Sequence, residues 1–290
     1  MHQLFTWIFE PGFFSSAPVH TALVIGGVVA VVSGVVGVFT VMRGQSFGGH
    51  ALTDVSTAGG SGSFLVGVSP VVGFVGFGVI GAVVMDLIGV QRVRGRDLAT
   101  GIVLGASIGL AALFLYLDTT RTATTGATQQ ILFGSIFSTT PSTVPIVVSF
   151  SVVSLGLVAL SYRPLLLSSV SNDVAAARGV PVRMIGLLFM VALAVAVGLS
   201  AIAIGSILST ALLIGPAASA LHLTRRMGWT VVVACLIGLG GTWLGVLLAY
   251  DSAYWDASHE GLPVSFFVVS ILFVVYLVTD LPFRRRAARA

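Results

Sequence analysis

His50 and Asp54 stand four residues apart in the segment MRGQSFGGHALTDVSTAGGSGSFLVG, which runs from Met42 to Gly67 between two long apolar runs. On a helix, positions i and i+4 lie one above the other, so the imidazole and the carboxylate point the same way. Two such groups make a comb of metal donors, a proton relay, or a structural His–Asp hydrogen bond inside a bundle. Ionisable groups at membrane depth are costly and tend to face a protein interior or a water-filled path, which makes them functional candidates. The spacing alone leaves these readings open, as it does a plain cytoplasmic loop.

The rest of the chain decides what must hold the pair. With 290 residues, 56% hydrophobic, 8% charged and a mean hydropathy of +1.07, this is a polytopic membrane protein. All fourteen basic residues are arginines and there is no lysine. That excludes a Walker A phosphate loop and a Schiff-base lysine, so any ATP that drives the protein is hydrolysed by another chain. The basic excess does not point to nucleic acid. The single Cys235 lies in an apolar run, which rules out an intramolecular disulfide and a cysteine metal cluster.

Apolar runs long enough to cross a bilayer fall at about 19–41, 64–88, 97–117, 142–162, 183–199, 201–222, 229–250 and 263–281. The polar segment 45–60 adds a short, Gly-broken ninth crossing, or else a re-entrant piece that leaves eight. Lys/Arg bias in short loops sets orientation. With nine crossings and the C-terminus in the cytoplasm, thirteen arginines fall inside and only Arg121 outside, while Glu10, Asp118, Asp251, Asp256 and Glu260 occupy external loops. The expected topology is N-terminus out and C-terminus in, with residues 1–290 forming one domain. Residues 1–18 make an external arm and 282–290 a cytoplasmic basic tail.

Three further stretches carry expectations. ILFGSIF at 131–137 is too short to cross and dips into the outer half of the bundle. The span 201–223 packs centrally through its small residues and is interrupted at Gly215–Pro216. The cytoplasmic stretch 163–183 contains a short helix, capped by Ser171 or Asn172, with Asp173 in its first turn and Gly179 and Pro181 as its stop. Such an exposed, alanine-rich helix suits a groove in a partner protein or is an ordinary surface turn. His222 reads as an interfacial residue, and His259 belongs to a solvated acidic loop.

Several of these segments together resemble the permease subunits of the manganese, zinc and iron ABC importers. The likeness runs from Arg43, Ser46, Gly49, Ala51 and Leu52, with donor residues at 50 and 54, through LGASIGLA (104–111), ILFGSI (131–136), YRPLLL (162–167), AAARGVPV (175–182) and ALLIGPAASA (211–220). It covers residues 20–280 or so. In that family an Asp precedes a His in the first segment, and the two are thought to hold the divalent metal. Here the order is reversed, with His50 first and Asp54 second.

The resemblance implies an all-α helical bundle of the type II ABC importer kind, in the inner membrane of a bacterium, with no tightly bound cofactor. Its metal donors would be His50 and Asp54. The segment 168–181 would be the coupling region received by a cytoplasmic ATPase, through Ser171, Asn172, Asp173, Ala176, Arg178 and Gly179. An external metal-binding protein would deliver the ion, and a second permease chain, identical or paralogous, would complete the pathway. An ABC permease for a metal chelate or vitamin, and a proton-coupled carrier, are the alternative functions.

Overall fold

The computed structural model describes residues 13, 16–88, 96–121, 126–134, 136–255 and 261–287. Every extended element among them is helical. In chain order these are α1 (Ala17–Met42), α2 (Ser46–Val66), α3 (Pro70–Ile88), α4 (Arg96–Arg121), α5 (Ala127–Phe133), α6 (Val144–Leu160), α7 (Tyr162–Val170), α8 (Asn172–Ala177), α9 (Val182–Ile204), α10 (Ser206–Leu223), α11 (Met227–Ser252) and α12 (Val264–Ala287). Single 3-10 turns lie at Ile136–Ser138 and Pro141–Thr143.

Helices α1, α3, α4, α9, α10, α11 and α12, and α6 together with the 3-10 turn at Pro141–Thr143, contain stretches long and apolar enough to cross a membrane, and they correspond one to one with the eight apolar runs of the sequence. Helix α2 departs from expectation. It is neither short nor broken: it runs for 21 residues, about 31 Å at the usual rise, and ends at Gly67, whose φ of 73° supplies a left-handed cap. Residues 64–66, expected in the following span, belong to α2 instead.

The two ends of α2 lie at opposite ends of the bundle. Its leading turn is tied to α7 through Arg43, while Phe64 near its other end lines a cavity of about 180 Å³ with Gln130, Ile131, Thr140 and Ala201. The polar helix therefore runs the length of the bundle beside the eight apolar spans.

Its glycines pack rather than break the helix. A Cβ at Gly59 would overlap Gly73 O and Phe77, and one at Gly60 would overlap the Phe74 ring, so α2 and α3 meet backbone to backbone. Close approach through small residues is the usual way helices associate where the hydrophobic effect gives no drive.

The most enclosed spans are α1 and α9, and the most open are α4 and α6. One half of the core joins Ile25, Val29, Leu199, Ile204, Leu212 and Val246. The other joins Phe39, Leu52, Met85, Leu165, Phe189 and Leu193. Helix α2 packs against α3 and α4 and reaches α9 and α10.

The interruption between α9 and α10 falls at Gly205, with φ 84° and ψ 157°, and not at Gly215–Pro216, since Pro216 lies inside a continuous α10. The short α5 segment is pinned at that interruption. Gly134, with φ 78°, abuts Gly205, and a Cβ on Gly205 would overlap Leu132 O. Ile131 and Ile136 are buried beside it, as expected of a segment that dips into the bundle.

Candidate metal site on the polar helix

Helix α2 satisfies most of its own polar groups. The hydroxyls of Thr53, Thr57 and Ser61 donate to the carbonyls of Gly49, Thr53 and Thr57 at 3.1, 2.8 and 2.8 Å. Such back-bonding to i−4 lets serines and threonines sit in a buried helix without water. Thr53, Ser56, Thr57 and Ser61 are buried, whereas Phe47, His50 and Asp54, at i, i+3 and i+7, form a less covered stripe.

On that stripe the side chain of His50 is 43% exposed and that of Asp54 17%. His50 Nε2 and Asp54 Oδ2 are 3.9 Å apart, on one face as the spacing predicts but too far for a hydrogen bond. The structural His–Asp bond is thus not made. Asp54 Oδ2 is buried and has no hydrogen-bond partner among the described residues. A buried acceptor left in that state needs an explanation, and an ion is one.

The contact that sequence reasoning missed comes from α10. His50 Nδ1 lies 3.2 Å from Thr210 Oγ1. The tautomer that donates from Nδ1 to Thr210 leaves the Nε2 lone pair facing Asp54, the arrangement of a histidine held ready to ligate. Nothing in the sequence pairs residues 160 positions apart. Thr210 and its neighbours Ile207, Ala211 and Ile214 are themselves incompletely covered, so α2 and α10 present one open face around the pair. Among the described residues no group of three or more His, Cys, Asp and Glu could hold a metal ion, so this chain offers two such donors at the site.

The cytoplasmic expectation resolves in detail. The Ser171 side chain caps α8 by accepting from Val174 N at 3.3 Å, and Asp173 lies in the first turn. Gly179, with φ 77°, ends the helix, its N–H donating to Ala176 O at 2.9 Å while Val180 N donates to Ala175 O at 3.0 Å. Ala175 is buried; Asn172, Asp173, Val174, Ala176, Arg178 and Gly179 are exposed. The preceding stretch from Tyr162 forms a second helix, α7, beyond the one short helix expected in this region.

Other candidates stand apart from the site. His222 packs beside the Tyr276 ring. Asp118 and Asp251, expected in external loops, are buried at the ends of α4 and α11, whereas Asp256, His259 and Glu260 lie outside the described residues. Most of the expected N-terminal arm also lies outside them. The expected basic tail is helical through Ala287.

Eight apolar helices long enough to cross a membrane, packed with a buried polar helix among the described residues, are the architecture of a membrane transport subunit. The chain belongs to the ABC 3 transport family, whose model matches residues 16–280. It is 28% identical over 243 residues to the manganese transport system membrane protein MntC of Listeria monocytogenes, covering 84% of this chain and 85% of that protein. It is 30% identical over 254 residues to the protein of the same name from Halalkalibacterium halodurans, covering 88% and 84%. Its fold matches a chain of PsaBC from Streptococcus pneumoniae, solved in complex with a Fab, with a TM-score of 0.79 at 24% identity, over 96% of this chain and 95% of that one.

Proposed function

We propose that this chain is the membrane permease of an ATP-driven importer for a divalent transition metal ion, with manganese the favoured cargo over zinc or iron. The observation that carries this reading is the His50–Asp54 pair, on one face of the polar helix, with a buried carboxylate oxygen lacking a hydrogen-bond partner among the described residues and the imidazole braced by Thr210. One imidazole and one carboxylate per chain are borderline to hard donors, suited to manganese, ferrous iron or zinc and not to copper(I). The names of the relatives favour manganese.

Two donors do not complete a coordination shell. A second permease chain, identical or paralogous, therefore faces this one across the open α2/α10 surface and supplies the rest. A separate cytoplasmic ATPase receives α8 through Ser171–Gly179, which agrees with the absence of lysine and of a Walker A loop. An external metal-binding protein loads the pathway from the opposite end, which places the N-terminus outside and the C-terminus inside.

The test is manganese uptake by the assembled complex carrying His50→Ala or Asp54→Ala. Each is expected to lower apparent affinity by more than the ~10–100-fold typical of outer-shell changes. Unchanged uptake in both removes the site assignment.

A further inference from the structure

The helices on either side of α8 are each fastened by an arginine to the helix pair that begins with the metal donors. On the α7 side, Arg43 Nη1 donates to Ser168 Oγ at 2.8 Å, three residues before the α8 cap at Ser171. The same guanidinium lies 5.4 Å from the centre of the Phe189 ring of α9. Arg43 sits in the tight turn between α1 and α2, where Gly44 N donates to Val41 O and Gln45 N to Thr40 O, seven residues before His50.

On the α9 side, Arg183 Nε faces Asp86 Oδ2 at 3.6 Å. Asp86 is buried in the last turns of α3, while Arg183 is exposed in the first turn of α9, directly after Gly179 and Pro181. The pair lines a cavity of about 580 Å³ whose other walls are Val83, Leu87, Pro181, Val182, Met184 and Leu187. Between these two ties, α2 and α3 are locked to each other by the Gly59–Gly73 and Gly60–Phe74 contacts.

We infer that Arg43–Ser168 and Arg183–Asp86 are the two ties through which a displacement of α8 reaches the metal site. Movement of α8 pulls α7 on one side and α9 on the other; the ties pass it to the start of α2 and the end of α3, which tilt as one unit and carry His50 and Asp54 with them. An exposed ion pair contributes little by itself. Here one partner of each tie, Ser168 or Asp86, is buried, so the tie is partly shielded from solvent and the two helices it joins favour moving together. The inference rests on the reading of α8 as the ATPase contact.

The experiment uses the permease purified with its ATPase and reconstituted in vesicles, with manganese transported per ATP hydrolysed as the readout. Ser168 is buried away from the surface of α8, and Arg183 is exposed, so Ser168→Ala and Arg183→Gln leave the fold intact; size-exclusion profiles check this. The double variant is expected to retain ATP hydrolysis and manganese binding while transport per ATP falls about tenfold, within the usual range of coupling between sites. An unchanged ratio overturns the inference, whether both activities persist or both fall in parallel. A photo-crosslinking residue at Val174 separates the two levels: capture of the ATPase supports the reading of α8, and failure to capture it overturns that reading and the inference with it.

Discussion

At the scale of single residues, the account turns on how one imidazole is held. Thr210 Oγ1, 3.2 Å from His50 Nδ1, holds the ring so that Nε2 is the nitrogen facing Asp54. Thr210→Val keeps the volume and removes the oxygen, and is expected to weaken manganese binding about 10–100-fold without changing the number of sites, as read by titration of the purified complex. The His50/Asp54 pairing was legible in the sequence because helical periodicity is local: four residues fix a shared face wherever the helix goes. Thr210 was not legible, since only tertiary packing brings α10 to α2. The same limit hid the burial of Asp118 and Asp251, which a sequence places beside polar loops and the fold draws under cover.

At the scale of elements, glycine has two opposite meanings that composition cannot separate. In α2 the Gly59–Gly60 pair reads as a helix break, yet it is the contact surface for Phe74 and Gly73. At Gly205 the reverse holds, for no proline or polar cluster announces the interruption between α9 and α10. Gly205→Ala places a side chain in a backbone region that is essentially glycine-only, at a cost of about 1–3 kcal/mol before the overlap with Leu132 O is counted. Its thermal unfolding midpoint in detergent is expected to fall clearly. Gly101→Ala, where a Cβ meets nothing and the helix gains by ~0.5–1 kcal/mol, leaves the midpoint unchanged or higher. Apolar spans and the Ser171 cap were readable in advance because length and capping chemistry are properties of contiguous residues.

At the scale of the whole molecule, the proposed function makes the open face of α2 and α10 the surface that a second permease chain completes. Phe47 is 46% exposed one turn before His50 on the same stripe. In a Cys235→Ala background, Phe47→Cys is expected to crosslink to the facing permease chain through a short bifunctional thiol or thiol–amine reagent. With identical chains the product is a dimer of the 29.9 kDa subunit. Crosslinking confined to an exposed control such as Val152→Cys would place the seam elsewhere. The order of the crossings was readable from hydropathy, but which face meets a partner was not, since apolar surface against lipid and small, polar surface against protein alternate on the same helices.

The most direct measurement is pulsed electron paramagnetic resonance of manganese bound to the purified complex in membrane discs. The account predicts a nitrogen coupling from a directly bound imidazole, present in the unmodified protein and abolished in His50→Ala. A nitrogen signal that survives that substitution, or bound manganese with no nitrogen ligand at all, would contradict it.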